Sequence, residues 1–437
     1  MASISGSHSV GSHSVPSKSL TSRLGTVPGS RGSAVPQPSF PDPTPAKGGA
    51  EHHSHGLPTL QGNSETPASA ARLDRRRWLA TATAGMTAVG IGGLTFASAP
   101  SQTSGAAPPI KLGFDNFAVR AMNWKAPELI EYAAKLKIDS LFISDLDALG
   151  DLATPNLKTI RQRAADAGLD LHLGTWSICP TSTTFRDKWG TAEEHLRLAI
   201  RAAHDLGSPV IRVILGNGAD RQTPGGIKAR IADTAKVCRA CRNQAMDSGV
   251  KIAVENHAGD MQAHEVVQLI EEAGKEFVGA NLDSGNATWT LEDPIANLEV
   301  LGPYALTTSL RDSAVWESEN GATVQWTAMG DGNVDLKRYF ERFRALCPTV
   351  PVHIETISGF NREIPYLKPE FWAAYNDVRA SDFAKFVALA KSGKPRSPWN
   401  APEGIDRKQA EQDYQKSEIE RSLKHCREVL GLGVRKA

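Results

Sequence analysis

The stretch Lys251-Ile-Ala-Val-Glu-Asn-His257 decides the fold. Its apolar run, residues 252–254, is typical of a short strand that is covered on both faces. A carboxylate is almost never fully buried without a partner, so Glu255 should either lie beside a cation or point into a cleft. The same design recurs at Asn281-Leu282-Asp283 and at His353-Ile354-Glu355. Three apolar strands therefore each deliver a carboxylate at their carboxyl end.

Length and charge bound the class of protein. The chain has 437 residues and a formal net charge of +1, which is enough for one large domain with appendages. The first 100 residues carry 8 Lys and Arg against 4 Asp and Glu, and the remainder carry 41 against 44. Because this remainder is mildly acidic, we expect no nucleic-acid partner.

The N-terminal hundred residues have a composition of their own. Residues 1–73 are rich in Ser, Gly, Pro and His without apolar periodicity, which predicts a disordered low-complexity segment. Residues 74–105 resemble a twin-arginine export signal, with Arg75-Arg76-Arg77-Trp78-Leu79 before an uncharged stretch that ends at Ala99. That stretch is either cleaved off or retained as a membrane anchor. We therefore expect contact with export machinery and a place in the periplasm, or anchored on the outer face of the inner membrane.

From Ile110 onward, strand and helix patterns alternate. The predicted strands are Ile110–Phe114, Ser140–Ile143, Asp170–Leu173, Val210–Leu215, Lys251–Val254, Val278–Leu282, Ala305–Leu310 and Val352–Ile354. Eight strand–helix repeats in about 250 residues predict an α/β fold, a (β/α)8 TIM barrel over residues 106–395, followed by a helical tail over 396–437. A doubly wound open sheet is the alternative, and it is disfavoured because the chain has no Gly-rich phosphate fingerprint.

Active sites of such barrels form at the carboxyl ends of the strands. The residues that this chain places there are Trp176, Asn217, Glu255, Asn256, His257, Asp283, Asn286, Arg311, Asp312 and Glu355. Carboxylates that face one another repel unless a cation lies between them. A hard divalent ion held by oxygen ligands would resolve that conflict.

Five motifs together resemble the xylose-isomerase-like barrel family of sugar isomerases and epimerases. They are Val254-Glu-Asn-His257, Leu282-Asp-Ser-Gly-Asn286, Leu310-Arg-Asp312, Met329-Gly-Asp-Gly-Asn-Val-Asp335 and Ile354-Glu355. The resemblance implies one divalent ion, Mn, Mg, Co or Zn, held by Glu255, Asp283 and Glu355. A histidine of strand seven completes that set in the family, and Ser309 takes its place here. Serine is a much poorer ligand than imidazole.

The reaction that the resemblance implies moves a proton next to a carbonyl through an enediolate. Glu255 and Glu355 would serve as base and acid, and His257 would orient a sugar hydroxyl. The predicted substrate contacts are Asn217, Trp176, Asn286, Arg311 and Asp312. The partner is a small sugar, free rather than phosphorylated if the protein is exported, and a homo-oligomer is left open.

Other interpretations stay open. One alternative is a non-catalytic carbohydrate-binding barrel that has lost a metal ligand. A less favoured alternative is a metal-dependent endonuclease on the same barrel. Individual residues also have structural alternatives. Glu255 could pair with Arg212, Asp283 could cap the turn that follows it, and Arg311 with Asp312 could form a local ion pair.

Overall fold

We describe the protein from a computed structural model, which places residues 109–435. The predicted low-complexity segment and the predicted export signal lie outside the described residues. The strands are β1 (Leu112–Asp115), β2 (Ser140–Ile143), β3 (Asp170–Ser177), β4 (Val210–Ile214), β5 (Lys251–Glu255), β6 (Val278–Leu282), β7 (Ala305–Thr308), β8 (Asp312–Ser318), β9 (Gly321–Thr327), β10 (Val352–Ile354) and β11 (Asn361–Ile364).

The α-helices lie mostly between the parallel strands. They are α1 (Ala126–Lys135), α2 (Thr154–Asp166), α3 (Ala192–Leu206), α4 (Gly226–Ala240), α5 (Arg242–Ser248), α6 (Ala263–Ala273), α7 (Ser284–Trp289), α8 (Pro294–Leu301), α9 (Leu336–Leu346), α10 (Ala380–Ser392) and α11 (Arg407–Glu428). A capping box of Thr191 and Glu194 opens α3, and Gly207 closes it in the left-handed conformation. Within residues 109–435, no helix combines the length and the apolar character that crossing a bilayer requires.

Eight parallel strands form the barrel, in the order β10-β1-β2-β3-β4-β5-β6-β7. A parallel bridge between Leu310 and Ile354 joins the two outer strands. The Leu310 amide donates to the carbonyl of His353 at 2.7 Å, and the Glu355 amide donates to the carbonyl of Leu310 at 2.9 Å. The predicted (β/α)8 barrel is confirmed, and the open sheet is excluded. The predicted strands Ser140–Ile143, Val278–Leu282 and Val352–Ile354 have the observed bounds.

Side chains fill the interior of the barrel, as expected for eight strands. We call its lower part the inner layer (Ser140, Phe142, His172, Thr307 and His353), and all five side chains are buried. His353 Nε2 lies 2.8 Å from Ser140 Oγ, and His172 Nδ1 lies 2.8 Å from Thr307 Oγ1. Burial lowers the pKa of His172 to about 4 and that of His353 well below its usual value, so both imidazoles are neutral. This layer supports the strand ends that lie above it.

A three-stranded antiparallel sheet follows β7 in the order β11-β9-β8, and we call it the lid sheet. None of its three strands was predicted from the sequence. The Trp326 indole of β9 donates to the carbonyl of Gly285, just beyond β6, at 3.0 Å. The lid sheet therefore covers the carboxyl ends of the strands.

Helix α11 packs beside β1, where Gln415 accepts a hydrogen bond from the Ala121 amide at 2.8 Å.

Candidate active site

The three carboxylates that were predicted to meet do lie together. Glu255 ends β5, Asp283 directly follows β6 and Glu355 directly follows β10. One oxygen from each lies within 4.8 Å of the other two. Their exposed fractions are 1%, 0% and 3%. Three carboxylates this close and this buried require positive charge beside them.

Two arginine side chains supply that charge. Arg311 Nη2 donates to both Asp283 Oδ2 and Glu355 Oε2. Arg212, which points inward from β4, places Nε 2.7 Å from Glu255 Oε2. Burial opposes the charge of Arg311, but the surrounding carboxylates outweigh it and raise the pKa of Arg311. The pairing of Glu255 with Arg212 was one of the structural alternatives for that residue.

A fourth carboxylate, Asp115 at the end of β1, was missed by the sequence analysis. It is fully buried, and it accepts hydrogen bonds from Ser144 Oγ and, at 2.9 Å, from the Phe117 amide. The run Leu112–Asp115 repeats the signal that singled out Glu255, an apolar strand ending in a carboxylate. We call the buried set the charged cluster, and its members are Asp115, Arg212, Glu255, Asp283, Arg311 and Glu355.

Burial dominates the proton affinities in the charged cluster. It raises the pKa of Asp283 to about 7 and that of Glu355 well above its usual value, although Arg311 opposes both shifts. Burial likewise raises the pKa of Asp115 and of Glu255, and Arg212 opposes those shifts. Carboxyl groups with raised pKa values are suited to proton transfer near neutral pH.

Asp283 decides whether a divalent ion fits these residues. Its Oδ1 accepts from the amides of Gly285 and Asn286 at 2.8 and 2.9 Å, so it caps α7, as the structural alternative predicted. Its Oδ2 accepts from Asn286 Nδ2 at 2.7 Å and from Arg311. A carboxylate has about four lone-pair positions, and four donors fill them here. Asp283 therefore has no position left for a metal ion.

Ser309 stands where the resemblance calls for a histidine. Its hydroxyl lies 3.3 Å from Asn281 Nδ2 and 3.4 Å from Asp115 Oδ2. Neither of two nearby histidines takes that role, since His353 bonds to Ser140 in the inner layer and His257 bonds to the carbonyl of Gly216. With these hydrogen bonds in place, the carboxylates of Glu255, Asp283 and Glu355 do not form a site that fits a divalent ion.

His257 lies at the edge of the site with a defined tautomer. Its Nδ1 donates to the carbonyl of Gly216 at 2.6 Å, so Nε2 of the neutral ring carries the lone pair. Burial lowers the pKa of His257 to about 3. The ring of Trp176 lies 5.7 Å from it, edge to face. A neutral imidazole beside an indole can accept a hydrogen bond from a hydroxyl of a ligand.

The remaining predicted residues divide into two groups. Asn286 joins the charged cluster, since its Nδ2 also lies 3.2 Å from Glu255 Oε1, and Asn256 accepts from the Asp283 amide at 3.0 Å. Asn217 instead caps a short 3-10 turn through the Ala219 amide. Asp312 accepts from the amides of Gly330 and Gly332 at 3.1 and 2.9 Å. The structure therefore gives Asn217 and Asp312 local bonds in loops rather than contacts within the charged cluster.

Comparisons with known proteins agree with this architecture. Among curated proteins, 3-oxo-isoapionate decarboxylase from Pectobacterium atrosepticum is 22% identical over 218 residues, which span 49% of this chain and 72% of the decarboxylase. A crystal structure of D-psicose 3-epimerase in the presence of D-fructose is 17% identical with a TM-score of 0.50, covering 74% of this chain and all of that one. A structure of the IolI protein with a bound zinc atom is 14% identical with a TM-score of 0.46, over 65% and 100% of the two chains.

The epimerase structure shares the fold with this chain at low sequence identity. The model of the xylose isomerase-like TIM barrel family matches residues 130–375, more than half of the chain. This chain belongs to the xylose isomerase-like TIM barrel family.

Proposed function

We propose that the chain is a sugar isomerase or epimerase that moves a proton next to a carbonyl through an enediolate. One observation carries the proposal: four buried carboxylates face two guanidinium groups at the carboxyl ends of the barrel strands. Buried ion pairs contribute little to stability, so an excess of buried negative charge favours a chemical role. The place is also where active sites of this fold form.

Glu355 is our choice for the group that takes the proton. Its Oε2 is held by Arg311, and among residues 109–435 no donor bonds its Oε1. That oxygen can therefore accept a proton from a carbon next to the carbonyl. Glu255, which has an oxygen within 4.8 Å of Glu355, would return the proton to the neighbouring carbon or to the opposite face. His257 Nε2 would hold a sugar hydroxyl.

The relatives suggest which substrates to test. The similar solved structure is an epimerase that was crystallised with a ketose, and the curated relative is a decarboxylase of an oxo sugar acid. Loss of CO2 from a 3-oxo acid leaves its electron pair on the neighbouring carbon as an enolate, so both reactions can use a site that stabilises this anion. We keep export, and with it a free sugar as substrate, as proposals that depend on residues 74–105.

The experiment is solvent exchange in deuterium oxide. The protein is incubated with free ketoses and with 3-oxo sugar acids, and the products are followed by NMR for deuterium at the carbon next to the carbonyl and for released CO2. We expect deuterium incorporation into at least one ketose, together with its epimer or isomer. Exchange that also occurs with the Glu355→Gln variant would overturn the proposal.

The second candidate is a carbohydrate-binding barrel without catalysis. It is favoured by the closed arrangement of the charged cluster, whose members are at most 3% exposed beneath the lid sheet. A substrate reaches these groups only if the lid sheet or the neighbouring loops move. Saturable sugar binding by calorimetry without deuterium exchange would select this candidate over the isomerase.

A further inference from the structure

We propose that Arg311 is the resident cation of this site and takes the position of the divalent ion that the family resemblance implies. The proposal goes beyond the proposed function, because it concerns what holds the carboxylates together whether or not they turn over a sugar. A single guanidinium nitrogen, Nη2, donates to Asp283 and to Glu355, which come from different strands. This is the bridging role that a metal ion would have between the same two side chains.

Residues that follow β6 hold the backbone of Arg311 and leave space for its side chain. The Arg311 amide donates to Ser284 Oγ at 3.0 Å, and Ser284 Oγ donates back to the Arg311 carbonyl at 2.6 Å. A Cβ atom added at Gly285 would lie 2.5 Å from both Cγ and Cδ of Arg311. Real Cβ atoms do not approach other atoms this closely, so the glycine leaves the space through which the Arg311 side chain passes.

The lid sheet fixes the guanidinium from above. Arg311 Cζ lies 4.2 Å from the ring centre of Trp326, and Trp326 stacks on Trp289 with the centres 4.0 Å apart and the planes 10° from parallel. Arg362 Cζ of β11 lies 3.9 Å from the Trp289 ring on the far side. Two indoles are therefore held between two guanidinium groups, and we call this set the arginine–tryptophan stack. A cation that is stacked and doubly bonded is rigid.

The free donors of Arg311 indicate what this cation could bind. Nε and Nη1 are buried, and neither has a hydrogen-bond partner among the placed residues. An unpaired buried donor costs free energy until a ligand meets it. A guanidinium has a fixed charge and a planar set of donors that suits oxyanions. The identity of the ligand alone rests on the proposed function: these donors would meet the enolate or carboxylate oxygen of a sugar-derived ligand, which is the electrostatic role otherwise given to a metal ion.

Metal analysis after dialysis tests this assignment without any substrate. The wild-type protein, freed of tags, is dialysed against Mn²⁺ and separately against Zn²⁺, then analysed for bound metal. We expect substoichiometric metal and an unfolding temperature that does not respond to the ion or to a chelator. One tightly held ion per chain, with unfolding that shifts on chelation, would overturn the proposal.

Variants sharpen the same test. Ser309→His alone should leave the metal content unchanged, since Arg311 still fills the space and Asp283 has no free lone pair. Combining Ser309→His with Arg311→Met should create a site that binds one Mn²⁺ or Zn²⁺ per chain. The matched control combines Ser309→His with Arg362→Met, which removes a stacked arginine that contacts none of the three carboxylates.

Four outcomes are informative. Metal uptake by the first double variant and not by the control supports the assignment, and equal uptake by both overturns it. If the variant that combines Ser309→His with Arg311→Met does not fold, the metal content of the wild-type protein tests the proposal by itself. Loss of deuterium exchange with low metal content would remove the proposed isomerase and leave Arg311 as the resident cation, so the two proposals fail separately.

Discussion

The inner layer and the charged cluster are neighbours inside one barrel, and both bury polar side chains. The polar groups of the inner layer are neutral, whereas those of the charged cluster carry charge. His353 and Glu355 lie two residues apart on the same strand face, and both are at most 3% exposed. In the inner layer each polar group is neutral and bonded to a hydroxyl. In the charged cluster, four carboxylates share two guanidinium groups, and some donors have no partner among the described residues.

The difference separates packing from chemistry. Neutral bonded groups cost little to bury, whereas a buried charge that is incompletely paired costs several kcal/mol. A barrel needs only the first kind to fill its interior. Burial is similar in the inner layer and in the charged cluster, so burial does not distinguish them. The charged cluster is the functional part because a contribution to stability does not explain its buried charge. Four experiments test this contrast.

The largest expected effect is on exchange in the Glu355→Gln variant. Glutamine keeps the shape but cannot take a proton, so deuterium exchange should fall by about 10²–10⁴-fold. Glu418→Gln is the matched control, because Glu418 is a buried carboxylate of α11 that pairs with Arg421 outside the charged cluster. Exchange by the control should match the wild type. A loss shared by both variants would place the effect in folding rather than in chemistry.

The Arg311→Met variant should lose stability next. Removing the guanidinium leaves Asp283 and Glu355 without their shared partner, and breaking a buried ion pair costs about 3–5 kcal/mol. Urea unfolding at pH 7 gives the free energy of unfolding. Arg362→Met removes the outer arginine of the arginine–tryptophan stack and should cost only about 1 kcal/mol. Equal losses in the two variants would show that Arg311 contributes by stacking alone.

Replacing Trp326 tests how firmly the lid sheet holds Arg311. Trp326→Leu should reduce the free energy of unfolding by about 2–3 kcal/mol, since it removes a buried indole and a cation–π contact. It should also speed hydrogen exchange at the amides of β8 and β9, which mass spectrometry measures after peptic digestion. Trp316→Leu, a change on β8 outside the arginine–tryptophan stack, is the control. Unchanged amide hydrogen exchange in Trp326→Leu would show that the lid sheet does not depend on the contact between Trp326 and Arg311.

The smallest expected effect is the pH response of the inner layer. The pKa of His172 is lowered to about 4 by burial, so its contribution to stability is present above the unfolded value and is lost as the pH falls. Between pH 7 and pH 5 the wild type should therefore lose about 2 kcal/mol more than His172→Phe. Denaturant unfolding at the two pH values measures the difference. An equal loss in both proteins would mean that burial does not lower the pKa of His172 in the folded protein.

The charged cluster titrates in the opposite direction. Because the pKa of Asp283 is raised to about 7, its contribution is present at low pH and is lost as the pH rises through that value. The comparison of wild type with His172→Phe cancels this second contribution, since Asp283 is the same in both proteins.

Local patterns predicted the barrel well. The runs Val278–Leu282 and Val352–Ile354 are short, and each ends directly before a carboxylate, so their carboxyl ends could be predicted from the sequence alone. The lid sheet was missed for two different reasons: Asn320-Gly321 at the turn between β8 and β9 is a local hairpin signal that went unused, whereas β11 pairs with β9 from more than 30 residues away and nothing local indicates that pairing.

In the charged cluster, the sequence predicted the position of the carboxylates but not what balances them. The repulsion between Glu255, Asp283 and Glu355 demanded a cation, and the resemblance suggested a metal ion. Arg311 meets the same demand from two residues beyond Ser309. Its contact with Glu355 spans 44 residues, so only the folded chain shows it. The replacement of the expected histidine by Ser309 was the local sign that the ion's ligand set had changed.

A crystal structure grown with Mn²⁺ tests the central claim most directly. Anomalous scattering locates the ion independently of any assumption about its ligands. We predict no anomalous peak between Asp283 and Glu355, with the Arg311 guanidinium bonded to both carboxylates and stacked on Trp326. A peak within bonding distance of Glu255, Asp283 and Glu355, with Arg311 displaced, would contradict the account.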